Sequence, residues 1–209
     1  MATIDRDPDG LFDGLNPNSA EILSRLRRRL AADAQAAGLL DVAYRTVDTP
    51  VGALLLAATP AGLVRVAYPS ENHDTVLATL AERISPRVLA APARLDAAAR
   101  EIDEYFAGAR TQFDLPLDLR LTVGFRRQVI EHLSDIGYGH RESYADVAAA
   151  VGNPRAVRAV GSACAHNPLP VVIPCHRVVR SDGSIGQYVG GVTAKTALLT
   201  LEAAWPETL

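Results

Sequence analysis

The chain has 209 residues, a net charge of −3 and 48% apolar residues, enough for one large domain or two small ones with a real core. No run approaches the roughly 18 apolar residues of a membrane helix. Two cysteines, Cys164 and Cys175, are too few for a disulfide framework or a four-thiolate zinc site, and five scattered histidines suggest no metal-ligand set. Residues 1–10 are acidic and lack the basic start and apolar stretch of a secretory signal. A cytoplasmic protein with free thiols, no membrane association and no bound metal is expected.

Residues 1–20 are rich in Asp, Pro, Gly and Asn and are expected to be disordered. A helix is predicted from near Asn18, capped by Asn18 with Glu21 three positions on. Ile22, Leu26 and Leu30 then recur every four residues, with Arg27, Arg28 and Arg29 between them, which makes the helix amphipathic. Val42–Thr49, Ala53–Ala58 and Leu63–Tyr68 follow as short β-rich runs separated by Pro50-Val51-Gly52 and Pro60-Ala61-Gly62. That punctuation predicts an antiparallel meander. Helical spacing returns from Asp74 to Ile84 and again through Leu95, Ala98, Ile102 and Tyr105. Pro116 to Val123 reads as a linker, which places a domain boundary near 120.

In the second half, Phe125, Val129, Leu133 and Ile136 trace one helix face. Ser143 can cap a short helix through Ala150, Gly152-Asn153-Pro154 breaks it, and a further helix runs to about His166. Two short helices around such a turn make a helix-turn-helix candidate. Its second helix is expected to carry Arg155 and Arg158.

Charge is unevenly spread. Residues 1–120 carry 13 Lys/Arg against 17 Asp/Glu, and residues 121–209 carry 8 against 7. Asn153 to Arg180 holds Arg155, Arg158, Arg177 and Arg180 and no acid, so a local basic face can meet phosphates although the whole chain is acidic. Into this stretch the apolar run Pro168-Leu169-Pro170-Val171-Val172-Ile173-Pro174 delivers Cys175. Its prolines remove backbone donors, so a buried irregular segment is predicted rather than a central strand. Neighbouring imidazole and guanidinium groups are expected to favour the thiolate of Cys175. Cys164, among alanines, is expected to be buried and inert.

The string Pro174-Cys175-His176-Arg177-Val178 resembles the hallmark of the O6-alkylguanine-DNA alkyltransferases, also called methylated-DNA–protein-cysteine methyltransferases. Ser143-Tyr144, Gly152-Asn153-Pro154, Arg158-Ala159-Val160-Gly161, Asn167-Pro168, Gly183 to Tyr188 and Leu198-Leu199 to Glu202 continue the resemblance in order. It covers roughly residues 43–204 and is strongest from Phe125 on.

The resemblance implies an α+β fold. An extension with an amphipathic helix (1–40) precedes an amino-terminal domain with a small antiparallel sheet and helices (41–120). A helical domain with the helix-turn-helix and the active site (121–209) follows. It implies single-turnover transfer of an alkyl group from O6 of guanine in DNA, with O4-alkylthymine as a further substrate class, onto Cys175. No dissociable cofactor is needed, because the DNA is the alkyl donor. His176, holding a water, would activate Cys175, with Glu202 orienting the imidazole. Cys and His on one extended segment would point apart, which leaves room for that water. Asn167 would hold the turn before the active-site loop. Tyr144 and Lys195 would assist the leaving guanine. The carbonyls of Cys175 and Val178 would read its amine, and Tyr188 would cover the base. The partner would be duplex DNA entered through the minor groove by a monomer. Ser143, Arg155 and Arg158 would contact it, Ala159 and Gly161 would let the backbone approach, and Arg158 would fill the space left by a flipped base.

Some positions depart from the family's pattern: Val189 stands where Ser or an aromatic residue is usual, Leu121 to Arg126 differs from the common opening, and residues 1–40 have no recognised counterpart. A non-catalytic damage sensor of this family lacks the acceptor Cys, which is present here. An alkylation-responsive regulator carries an added Cys-rich domain, and residues 1–40 hold no Cys. A Cys/His hydrolase is disfavoured by the match across the second half.

Overall fold

The structure is a computed structural model that describes residues 17–203. Disorder expected for residues 1–16 falls outside the described residues. Residues 17–20 are helical instead, because α1 runs Pro17–Ala36. That start puts Asn18 inside the first turn and not at the cap. Ile22, Leu26 and Leu30 form an exposed stripe on it. The described residues fall into two compact units, divided between Leu40 and Asp41.

The second unit is α+β. Strands β1 (Val42–Val47), β2 (Leu54–Thr59) and β3 (Gly62–Ala67) form the expected antiparallel meander. The unbroken Leu54-Leu55-Leu56-Ala57-Ala58 run suits the central β2, which is buried at every position. α2 (His73–Arg83) lays Val76 and Leu80 on Val42, Leu55, Ala57 and Val64. β4 (Val88–Ala90) then pairs parallel with β1, giving the order β3-β2-β1-β4. The sheet is therefore mixed and not purely antiparallel. The α2 crossover makes the parallel return possible, and a three-residue strand is too short to show a period. α3 (Asp96–Phe106) buries Ala98, Ile102 and Tyr105.

The segment expected to be a linker is hydrogen-bonded at its start to the edge strand of this sheet. The Leu63 N–H donates to the Pro116 carbonyl and the Asp118 N–H to the Leu63 carbonyl, each at 2.8 Å. Leu63 and Leu117 thereby form a parallel bridge. Asp118 is buried, accepts a hydrogen bond from the Thr59 hydroxyl and pairs with Arg120. Gly62 permits the approach: with φ +142, a Cβ there would lie 2.2 Å from the Pro116 oxygen.

α4 (Gly124–Leu133) buries Val129, Ile130 and Leu133, and Ile136 joins them from beyond the helix end. α5 (Tyr144–Ala150) starts as predicted: the Ser143 side chain accepts from the Asp146 N–H while Asp146 accepts from the Ser143 N–H. α6 (Val157–Ala165) completes the helix-turn-helix. Arg155 lies in the turn and not on the second helix. Two residues of β5 (Glu142–Ser143) pair parallel with β6 (Val178–Val179), which brings the start of α5 against the Cys175 segment. α7 (Gly191–Ala203) ends the described chain. No helix among the described residues is long and apolar enough to cross a membrane.

Candidate active site

Residues 167–174 are irregular and almost wholly buried, as their prolines predict. The segment is tied to the sheet edge, where the Val66 N–H donates to the Pro168 carbonyl at 2.8 Å. Val171 sits at φ 73, a left-handed conformation that is costly for a β-branched residue and persists only under tight surroundings. Asn167 is the internal brace. Its Oδ1 accepts from the Leu169 N–H (2.9 Å), and its Nδ2 donates to the Ile173 carbonyl (2.8 Å) and to Cys175 Sγ (3.1 Å).

Cys175 opens a tight 3-10 turn, Cys175–Arg177, and is 2% exposed. The turn replaces the extended backbone expected there. Burial pushes the thiol up to about 11, against the pull of the Asn167 hydrogen bond and Lys195. The resting residue is therefore a thiol, because burial outweighs the neighbouring charges expected to favour the thiolate. The imidazole is itself neutral, since burial lowers its pKa. The guanidinium of Arg177 is occupied elsewhere.

Its partner is Glu202. His176 Nε2 lies 2.9 Å from Glu202 Oε1, Arg177 Nη2 2.8 Å from the same oxygen, and Arg177 Nε 3.0 Å from Oε2. The Tyr105 hydroxyl donates to Oε1 at 2.7 Å, and Arg177 Nη1 also donates to the Ile136 carbonyl. Burial works against ionisation of Glu202, but the hydrogen bonds from His176 and Arg177 prevail and hold it down at about 2. A carboxylate facing Nε2 fixes that nitrogen as the donor. Nδ1 is then a lone-pair acceptor, and it is buried without a hydrogen-bond partner among the described residues. A neutral, oriented imidazole with one open nitrogen can take a proton from a neighbouring thiol through a small bridging group. Arg177, counted above with the phosphate-facing arginines, is buried in this cluster and does not belong to that face.

Lys195 is fully buried, and burial lowers its pKa. Its ammonium donates to the Val178 carbonyl and lies 6.0 Å from the centre of the Tyr144 ring. The Val178 carbonyl, expected to read the base, thus already has a donor and keeps one lone pair for a ligand. A Cβ at Gly186 would lie 2.7 Å from the Tyr144 hydroxyl, so the 183–188 loop covers that phenol closely. Tyr188 stands edge-on to His176 at 6.3 Å between ring centres. Cys164 is 7% exposed, and burial raises its pKa strongly. Arg155, Arg158 and Ala159 are exposed, and Ser143 is half-buried at the head of α5. A Cβ at Gly161 would meet open space, so its smallness serves no packing inside the chain.

The chain has relatives among known proteins. The DNA-binding domain of 6-O-methylguanine DNA methyltransferase matches residues 124–204, and the ribonuclease-like domain of the same family matches residues 42–119. The chain belongs to the 6-O-methylguanine DNA methyltransferase family. The methylated-DNA–protein-cysteine methyltransferase of Mycolicibacterium paratuberculosis is 39% identical over 161 residues, 77% of this chain and 92% of the relative. The constitutive enzyme of Bacillus subtilis is 39% identical over 164 residues, 76% and 94% of the two chains. Among solved structures, Mycobacterium tuberculosis OGT in complex with DNA superposes with a TM-score of 0.69 at 36% identity, covering 78% of this chain and 93% of that one.

Within this member of the methyltransferase family, Asn167 touches the buried thiol and Lys195 acts on it through its charge, while His176, the next residue, is bound to Glu202. Sequence reasoning missed Tyr105 and the role of Arg177. Tyr105 lies 97 positions from Glu202 and looked like one more apolar face residue on α3. Arg177 stands in a basic run, and only its neighbour's pairing with Glu202 could have hinted at a buried charge.

Proposed function

We propose that this chain repairs DNA by direct reversal, moving an alkyl group from O6 of guanine onto Cys175 once per molecule. The observation that carries this reading is the buried Cys175 thiol held by Asn167 beside the His176–Glu202 pair. His176 Nδ1 accepts the thiol proton by way of a bridging water. Sγ attacks the alkyl carbon, the S–C bond forms as the C–O6 bond breaks, and the electron pair leaves with the purine. Tyr144 and Lys195 donate toward the departing base, which takes up one proton from this pair and leaves neutral, and the proton held by His176 makes up the loss. The target guanine is stacked and paired in a duplex, so it must first be flipped out. α6 enters the minor groove with Arg158 in the vacated space, and the protein works as a monomer. Residues 41–120 serve as the amino-terminal domain, 121–209 as the DNA-binding and catalytic domain, and 1–40 as an extension. A sensor that flips the base without transfer is not favoured, because the acceptor thiol and its base are both in place.

With excess duplex containing one O6-methylguanine, intact mass should show a single added methyl per molecule, mapped to Cys175. Cys175→Ala should bind the DNA and transfer nothing, while Cys164→Ala should keep transfer. A methyl on Cys164, or several turnovers from one molecule, would sink the reading.

Arg158 gives a separate test. It is exposed on α6, so Arg158→Ala should slow repair of duplex DNA by about ten-fold or more, the scale of a lost contact of 1.4 kcal/mol. Reaction with free O6-benzylguanine, which needs no flipping, should be nearly unchanged. Equal losses on both substrates would move Arg158 from DNA handling to support of the pocket.

A further inference from the structure

The geometry points to Tyr68, the first residue after β3, as a positioning residue that sets the width of the alkyl pocket through Tyr188. This rests on the transfer reading above. The two phenol oxygens lie 3.2 Å apart, and the rings meet edge-on with centres 5.7 Å apart. Tyr188 in turn stands edge-on to His176, the residue after the acceptor cysteine. Tyr68, Tyr188 and His176 thus form a row of rings ending beside Cys175.

Tyr68 is in a position to hold rather than follow. It is 2% exposed, and its own N–H donates to Glu71 Oε1 at 2.9 Å. Glu71 is paired with Arg65, which also donates to the Pro168 carbonyl of the active-site segment at 3.2 Å. The Tyr188 side is a loop and leans on this anchor. A Cβ on Gly190 would fall 2.6 Å from the Tyr68 ring, so the loop backbone lies directly on its face. The Ser70 hydroxyl reaches the Val189 carbonyl at 3.5 Å, a second tie between the same two segments. An ionised Cys175 would act on both phenols, which places the pair within reach of the reacting sulfur.

A wall built this way limits what can stand on Sγ during transfer. Tyr68 meets Tyr188 and the backbone of Gly190. Its effect passes through the position of Tyr188, so it should discriminate between alkyl groups of different bulk. Pocket shape changes of a few carbon atoms alter selectivity by roughly 10-fold or more.

The test compares parent, Tyr68→Phe and Tyr68→Leu proteins on two duplexes that differ only in carrying O6-methylguanine or O6-benzylguanine. Transfer rates are read by intact mass, and the benzyl-to-methyl ratio is the observable. DNA binding, flipping and the fraction of folded protein cancel in that ratio, so a merely structural role leaves it fixed. Tyr68→Leu removes both the ring that packs on Tyr188 and Gly190 and the hydroxyl that meets Tyr188, and should raise the ratio about ten-fold. Tyr68→Phe keeps the ring, and with it the fold, but frees the Tyr188 hydroxyl. It should shift the ratio the same way by a smaller factor. A ratio unchanged in Tyr68→Phe and in any folded Tyr68→Leu protein overturns the assignment. A parent protein that takes up an alkyl group from neither duplex would overturn the functional reading instead.

Discussion

Glu202→Gln should lower the unfolding free energy by about 3–5 kcal/mol, the usual cost of removing one partner from a buried ion pair. Glu202 is 3% exposed and accepts from His176, Arg177 and Tyr105. Glutamine has the same shape but brings an amide where two donors already point, and it leaves the Arg177 charge buried without a counter-charge. With total stabilities of about 5–15 kcal/mol, the loss is a large fraction, and thermal unfolding should fall by about 10 °C. Glu202→Asp keeps the charge and should lose less.

The same group gives the acid limit. Glu202 is ionised in the folded state down to about 2 against an ordinary 4.5, so its contribution is complete above that ordinary value and disappears as pH falls toward about 2. His176 acts in the same direction. Its folded pKa is below the ordinary 6.5, so the unfolded chain takes up a proton that the buried ring refuses, and stability declines as pH drops below that value. Urea unfolding between pH 7 and 3 should show a steep loss in the parent and a flatter one in Glu202→Gln. A variant as stable as the parent, with the same acid profile, would mean that the cluster is solvated and contributes little.

What could be seen in the sequence divides along a physical line. Local chemistry was legible: the meander from its Pro/Gly turns, the Ser143 cap from its own side chain, the buried irregular run from three prolines. Groups far apart in the chain were legible only through the family resemblance, which brought Glu202 to His176 across 26 positions. Neither route exposed the parallel β4 or the β5–β6 pair, because strands of two or three residues carry no periodicity. Pro116 to Val123 looked like a linker because proline and polar residues suit a linker and a sheet edge equally. Its pairing with Leu63 depends on the open face of Gly62, a property of two segments together. The thiol's charge state failed for a related reason. Counting basic neighbours cannot tell that Arg177 is spent on Glu202, or that burial outweighs the charges that remain.

The second large effect should follow transfer itself. Cys175 accepts a hydrogen bond from Asn167 Nδ2 and is 2% exposed. A thioether is bulkier than the thiol and has no S–H to donate. Overpacking a closed site typically costs about 1–3 kcal/mol, and the slack here is small. Pro168, Pro170 and Pro174 stiffen the approach, and Val171 is already held in a left-handed conformation. Displacement at Sγ should therefore pass to Asn167, which spans the loop from Leu169 to Ile173 and lies two residues past the end of α6. α6 is the helix proposed to enter the DNA groove. Alkylated protein should thus unfold at lower temperature than the unmodified form and hold DNA several-fold less tightly, since about 1 kcal/mol is a factor of five in affinity. Benzyl should act more strongly than methyl, because more carbon must be accommodated. Thermal unfolding and DNA titration of the unmodified, methylated and benzylated proteins, each checked by mass for complete modification at Cys175, measure both effects. Equal melting temperatures and affinities in all three would mean that the added carbon lies in the space the guanine vacates and leaves Asn167 undisturbed.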